Sequence, residues 1–82
     1  MRITIKRSDW KPGIDYYGPC GCLLARAIKR QLKTRQATVW MSGAVQLSDR
    51  AYRYSVPRNE SRLIRAHRDP SVLPITITLK PT

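Results

Sequence analysis

Both ends of the chain alternate. Arg2-Ile3-Thr4-Ile5-Lys6 and Ile75-Thr76-Ile77-Thr78-Leu79 place a bulky apolar residue at every second position. That period is the mark of a half-buried strand. Between the two ends the period changes twice to that of a helix, and a three-strand meander sits in the middle. Ala37 to Met41 reads as a strand, Ser42-Gly43-Ala44 as a turn and Val45 to Leu47 as the returning strand. Ala51-Tyr52-Arg53-Tyr54-Ser55-Val56 is the third strand, ended by Pro57. The expected order is strand, helix, meander, helix, strand. That order is an α+β domain with two helices packed on one face of a small antiparallel sheet, and a ferredoxin-like split βαβ arrangement is the first expectation. With 82 residues, 1–82 forms a single domain. A chain this short buries only about 60–65% of its unfolded surface, so the core is small.

The first helix spans Cys20 to about Lys33. Cys20, Leu24, Ala27, Ile28, Gln31 and Leu32 share one face, and Arg26, Lys29, Arg30 and Lys33 the opposite one. Pro19 suits its first turn. The second spans Arg58 to Asp69, with Ser55 or Asn59 as its cap and Pro57 in an opening position. Leu63, Ile64 and His67 lie on one side with Glu60, and Arg58, Arg62 and Arg65 on the other. Pro70 and Pro74 bracket the turn before the closing strand. The loop from Ser8 to Pro19 is rich in Gly and Pro and carries Trp10, Tyr16 and Tyr17; at about 12 residues it has the length of a binding loop or a packed Ω-loop.

Charge is the second constraint. Sixteen Lys plus Arg stand against five Asp plus Glu, a formal net charge of +11. Eleven of the sixteen are arginine, whose planar fork matches phosphate and carboxylate and stacks on bases. Hydrophobic residues make up 41% of the chain, enough to fold, so the charge does not mark a disordered tail. The first helix has no acidic residue among its cations, whereas a merely soluble helix interleaves both signs. The partner expected is therefore nucleic acid or an acidic protein surface. Arg26, Lys29, Arg30, Lys33, Arg35, Arg58, Arg62 and Arg65 are the candidate contacts, and Trp10, Tyr16 and Tyr17 the candidates for base stacking. Tyr52 and Tyr54 share one sheet face and are expected in the core.

Several classes are set aside. No apolar run exceeds four residues, far short of the roughly 20 that cross a bilayer. Met1 to Lys6 lacks the apolar stretch of a signal peptide, so a cytoplasmic location is expected. Cys20 and Cys22 are too close for an unstrained disulfide, and reduced thiols fit the same compartment. Those two cysteines and His67 fall short of the four ligands of a structural zinc, so neither a metal nor a cofactor is expected. Asp9, Asp15, Asp49, Glu60 and Asp69 are scattered with no acid–base pair on one element. The four glycines match no nucleotide fingerprint. No small-molecule substrate is evident, and an enzyme is not expected.

Cys20-Gly21-Cys22-Leu23-Leu24-Ala25-Arg26-Ala27-Ile28-Lys29-Arg30 resembles the Cys-Pro-x-Ala-x-Ala-Leu/Ile-Arg helix of a group of small phage and prophage proteins without assigned function. Tyr54-Ser55-Val56-Pro57, Leu63 to Asp69 and Val72 to Leu79 are similar to the second half of that group: a Pro-opened helix, an Arg-Phe-Asp-like end and a Pro-led closing strand. Gly21 stands where a proline is usual, and His67 near an aromatic position. The resemblance implies a viral source and the cytoplasm of a host. It also opens an alternative to nucleic-acid binding: a phage-encoded inhibitor, anti-defence (anti-CRISPR, for instance) or host-takeover, docking its basic face on an acidic or nucleic-acid-binding groove of a host protein.

Overall fold

The computed structural model describes residues 1–14, 18 and 21–82. Its strands are β1 (Arg2–Ile5), β2 (Ala37–Val39), β3 (Ala44–Leu47), β4 (Ala51–Arg53), β5 (Ile75–Thr78) and β6 (Lys80–Pro81); the helices are α1 (Leu23–Leu32) and α2 (Val56–Arg68). Short 3-10 turns occupy Arg7–Asp9 and Pro70–Val72. The α+β class is the one expected, with the meander pairing in the order β2-β3-β4.

The ferredoxin-like order is not the one found. That order sets β1 between two strands, one of them parallel. Here every pairing among the described residues is antiparallel, and β1 has only β5 beside it. Side chains of α1 close its other edge. Gln31 donates to the Arg2 carbonyl (2.8 Å) and accepts from the Thr4 N–H (2.9 Å), while Arg30 donates to the Thr4 carbonyl (2.7 Å). These are the backbone groups a further strand would need.

The closing segment changes partner along its length. β5 pairs with β1, Leu79 exchanges two hydrogen bonds with Met1 (2.7 and 2.9 Å), and β6 then pairs with β4. One chain thus joins a two-stranded and a four-stranded sheet through Leu79, which is fully buried.

The core is a single cluster. Ile3, Ile5, Leu23, Leu24, Ile28, Val45, Leu63, Ile77 and Leu79 are its large, fully buried members, each contributing about 1.5–3 kcal/mol of burial. Tyr52 and Tyr54 lie in it as expected. α1 covers β1 and β2, and α2 packs on α1.

Both helix starts differ from the expected positions. α1 begins at Leu23 because Cys22 is its cap, the Sγ accepting from the Ala25 N–H at 3.5 Å. Cys20 and Pro19, placed by the sequence in its first turn, lie outside the described residues. α2 begins at Val56, with Ser55 at the cap position and Pro57 in the first turn. Asn59, the other candidate cap, is instead buried within the helix, its side chain donating to the Ser55 carbonyl (2.8 Å).

Candidate functional site

The basic stripe of α1 is partly turned onto the protein. Arg30 meets the buried Asp9 carboxylate through Nε (2.8 Å) and Nη2 (3.1 Å). That hydrogen bond raises the guanidinium pKa above its ordinary value. Arg26 donates to the Asp9 carbonyl (2.6 Å), and Asp9 also receives the Lys6 N–H (2.8 Å). Two arginines and one carboxylate therefore fix the segment after β1 to α1. Lys29 is half-buried, and Lys33 and Arg35 are exposed just past the helix end. Lys33 is itself the C-cap, in the left-handed conformation at φ 54°.

The loop aromatics fare similarly. Trp10 is half-buried and donates its indole N–H to the His67 carbonyl (2.9 Å). Tyr16 and Tyr17 lie outside the described residues. His67 stitches the helices together. Its Nε2 accepts from the Leu23 N–H (3.0 Å), so Nδ1 carries the hydrogen and donates to the Leu63 carbonyl (2.6 Å). The half-buried histidine expected from the sequence thus serves the first turn of α1. Cys22 is buried, and burial raises its thiol pKa against the lowering pull of the helix-start amides. A buried protonated thiol is a small hydrophobe and a poor nucleophile. Among the described residues no three His, Cys, Asp or Glu side chains come together as a metal site, and no helix is long and apolar enough to cross a membrane.

The cations that remain outward converge elsewhere. β4 ends at Arg53 and α2 begins at Val56. Only β6 of the closing segment therefore pairs with β4, and the edge of β5 away from β1 has no strand among the described residues. The gap is an open groove of about 950 Å³ between the first turns of α2 and the closing strand. Arg53, Arg58, Arg62 and Lys80 line it with Ser42, Ser55, Asn59, Thr76 and Thr78, and no acidic residue does. Arg62 is anchored, donating to the Asn59 side chain (3.1 Å) and the Thr76 carbonyl (3.3 Å). Arg53, Arg58 and Lys80 are exposed and form no side-chain hydrogen bond or ion pair among the described residues. Arg65 stands exposed further along α2.

Two members of this set face each other across the sheet. The β4–β6 register puts Arg53 directly opposite Lys80, where like charges repel and destabilise the pairing. Sequence reasoning named Arg58 and Arg62 but missed Arg53 and Lys80. They sit on strands 27 residues apart in the chain, and nothing local signals their pairing.

Comparison with protein-family models, with curated proteins and with solved structures gives no match to this chain.

Proposed function

We propose that this chain is a non-enzymatic nucleic-acid-binding protein that holds the phosphate backbone in the groove between α2 and the closing strand. The observation that carries the reading is the groove lining: four cations, hydroxyl and amide donors beside them, and no carboxylate. Phosphate oxygens accept from guanidinium, ammonium, hydroxyl and amide alike. A bound anion also offsets the Arg53–Lys80 repulsion, which no described side chain relieves.

The attraction is independent of sequence, because cations released from the polyanion drive it. The helix faces expected from the sequence contribute unequally to this reading. Arg58 and Arg62 of α2 belong to the groove, while Arg26 and Arg30 of α1 hold the fold.

The test is anisotropy of a labelled oligonucleotide, titrated between about 50 and 200 mM salt. Log affinity should fall on log salt with a slope of several units. The Arg53→Ser, Arg58→Ser, Lys80→Ser variant should lose about 2–3 units of that slope, at roughly 0.7–0.9 per phosphate contact. Binding insensitive to salt overturns the reading. So does a stoichiometric protein partner captured after nuclease treatment while no oligonucleotide binds; that result would establish the host-protein inhibitor instead.

A further inference from the structure

The turn joining β2 and β3 carries two large apolar side chains into solvent: Trp40 is 45% exposed and Met41 49%. Apart from Met1, they are the exposed large hydrophobics among the described residues. Leaving an indole half in water forgoes burial that a small core can use. The turn holding it is firmly built. The Trp40 N–H donates to the Ala44 carbonyl (2.9 Å), and the Gly43 N–H to the Trp40 carbonyl (3.0 Å). The Tyr54 N–H donates to the Gly43 carbonyl (2.9 Å), and the Tyr54 hydroxyl to the Trp40 carbonyl (3.4 Å).

Gly43 has φ +94°, and a Cβ there would stand 2.6 Å from the Tyr54 carbonyl oxygen. Only glycine fits. The turn is thus locked against Tyr54, and Tyr54 with Ser42 of the same turn lines the basic groove. Trp40 itself borders a small pocket with Met41, Tyr54, Leu63 and His67, so the exposed indole sits on a rigid mount that adjoins the cationic groove through Ser42 and Tyr54.

We infer that the ligand is single-stranded nucleic acid, with an unpaired base stacked on the Trp40 indole while the adjoining backbone lies in the groove. This rests on the nucleic-acid reading above and narrows it. In a duplex the base faces are already stacked on one another, and reaching one means unstacking or flipping it. In a single strand every base offers a free π-face, so stacking is tolerant of sequence, as is the phosphate attraction. The shape agrees. Arg58 and Arg62 line a concavity together with strand residues. A helix that reads a duplex must protrude into the major groove.

The experiment compares an oligo-dU and an oligo-U of about 12 nucleotides with a duplex of the same length at one salt concentration. Wild type, Trp40→Ala and Trp40→Phe are each titrated. Trp40 is exposed, so both variants should fold, and their melting curves will show it.

Binding of either single strand should exceed that of the duplex. Trp40→Ala should weaken single-strand binding about 5- to 150-fold, while Trp40→Phe retains most of it. The salt slope should be the same in all three, because stacking releases no counterions. Which single strand binds better identifies the sugar. Equal affinity for duplex and single strand, or a silent Trp40→Ala, overturns the inference and leaves the groove reading standing. If the wild type binds no oligonucleotide, both fall.

Discussion

On α1, Arg26 and Arg30 reach Asp9 and Thr4; on α2, Arg58 and Arg65 stand exposed at the surface, with Arg58 at the mouth of a groove. The two helices carry the same kind of stripe, with arginines three or four residues apart and few acids between them. They differ in what lies across from the stripe. The chain leaving β1 folds a 3-10 turn over α1 and brings the buried Asp9 carboxylate to it. α2 meets Thr76, Thr78 and Lys80, which offer no negative charge. A basic helix face is therefore left open or made a brace according to its neighbour, and a helical wheel carries no information about the neighbour.

The comparison can be broken most directly at Asp9. Asp9→Ala removes the carboxylate that Arg30 and the Lys6 N–H share, and should cost about 2–3 kcal/mol in urea unfolding. Arg58→Ala on the other helix should stay within about 0.5 kcal/mol of wild type. Equal effects from the two substitutions would erase the distinction. A smaller loss, about 1–2 kcal/mol, is expected for His67→Ala, which removes the acceptor of the Leu23 N–H. Hydrogen exchange should then speed first in the opening turn of α1; a change confined to α2 would contradict the role assigned to the imidazole. Smaller again than the His67 effect, and opposite in sign, is that of Lys33→Gly. The substitution relieves a left-handed lysine and should stabilise by about 0.5–1 kcal/mol in thermal melts. Oligonucleotide affinity should stay near wild type, and a pronounced loss would return the end of α1 to the binding surface.

Much of the frame was legible without coordinates. The strand alternation of Ile3 and Ile5, the meander from Ala37, both helices and the burial of Tyr52 and Tyr54 all follow from period and residue type. These are short-range properties, since alternating or 3.6-residue spacing of apolar side chains selects the backbone that can bury them together. What escaped the sequence depends on groups far apart in the chain. Gln31 sits on the apolar side of the α1 wheel, yet its amide closes the edge of β1, 27 and 29 residues away. Cys22 as a helix cap was hidden because Cys20, Gly21 and Cys22 all precede the same apolar run. The alternation carries the β2 strand through to Met41, whereas the strand ends at Val39 and Trp40 lies in the turn that packs on Tyr54, with its indole half exposed.

The cationic surplus, the element order and the antiparallel α+β class were determined by the sequence alone, because each depends on composition or on neighbours within one turn or one pleat. Tertiary structure decided which cations stay free. Asp9 is 21 residues from Arg30, and Arg53 meets Lys80 only because the closing strand crosses from β1 to β4 at Leu79. Coulomb and hydrogen-bond energies depend on distance in space, and for these groups only the folded chain sets that distance.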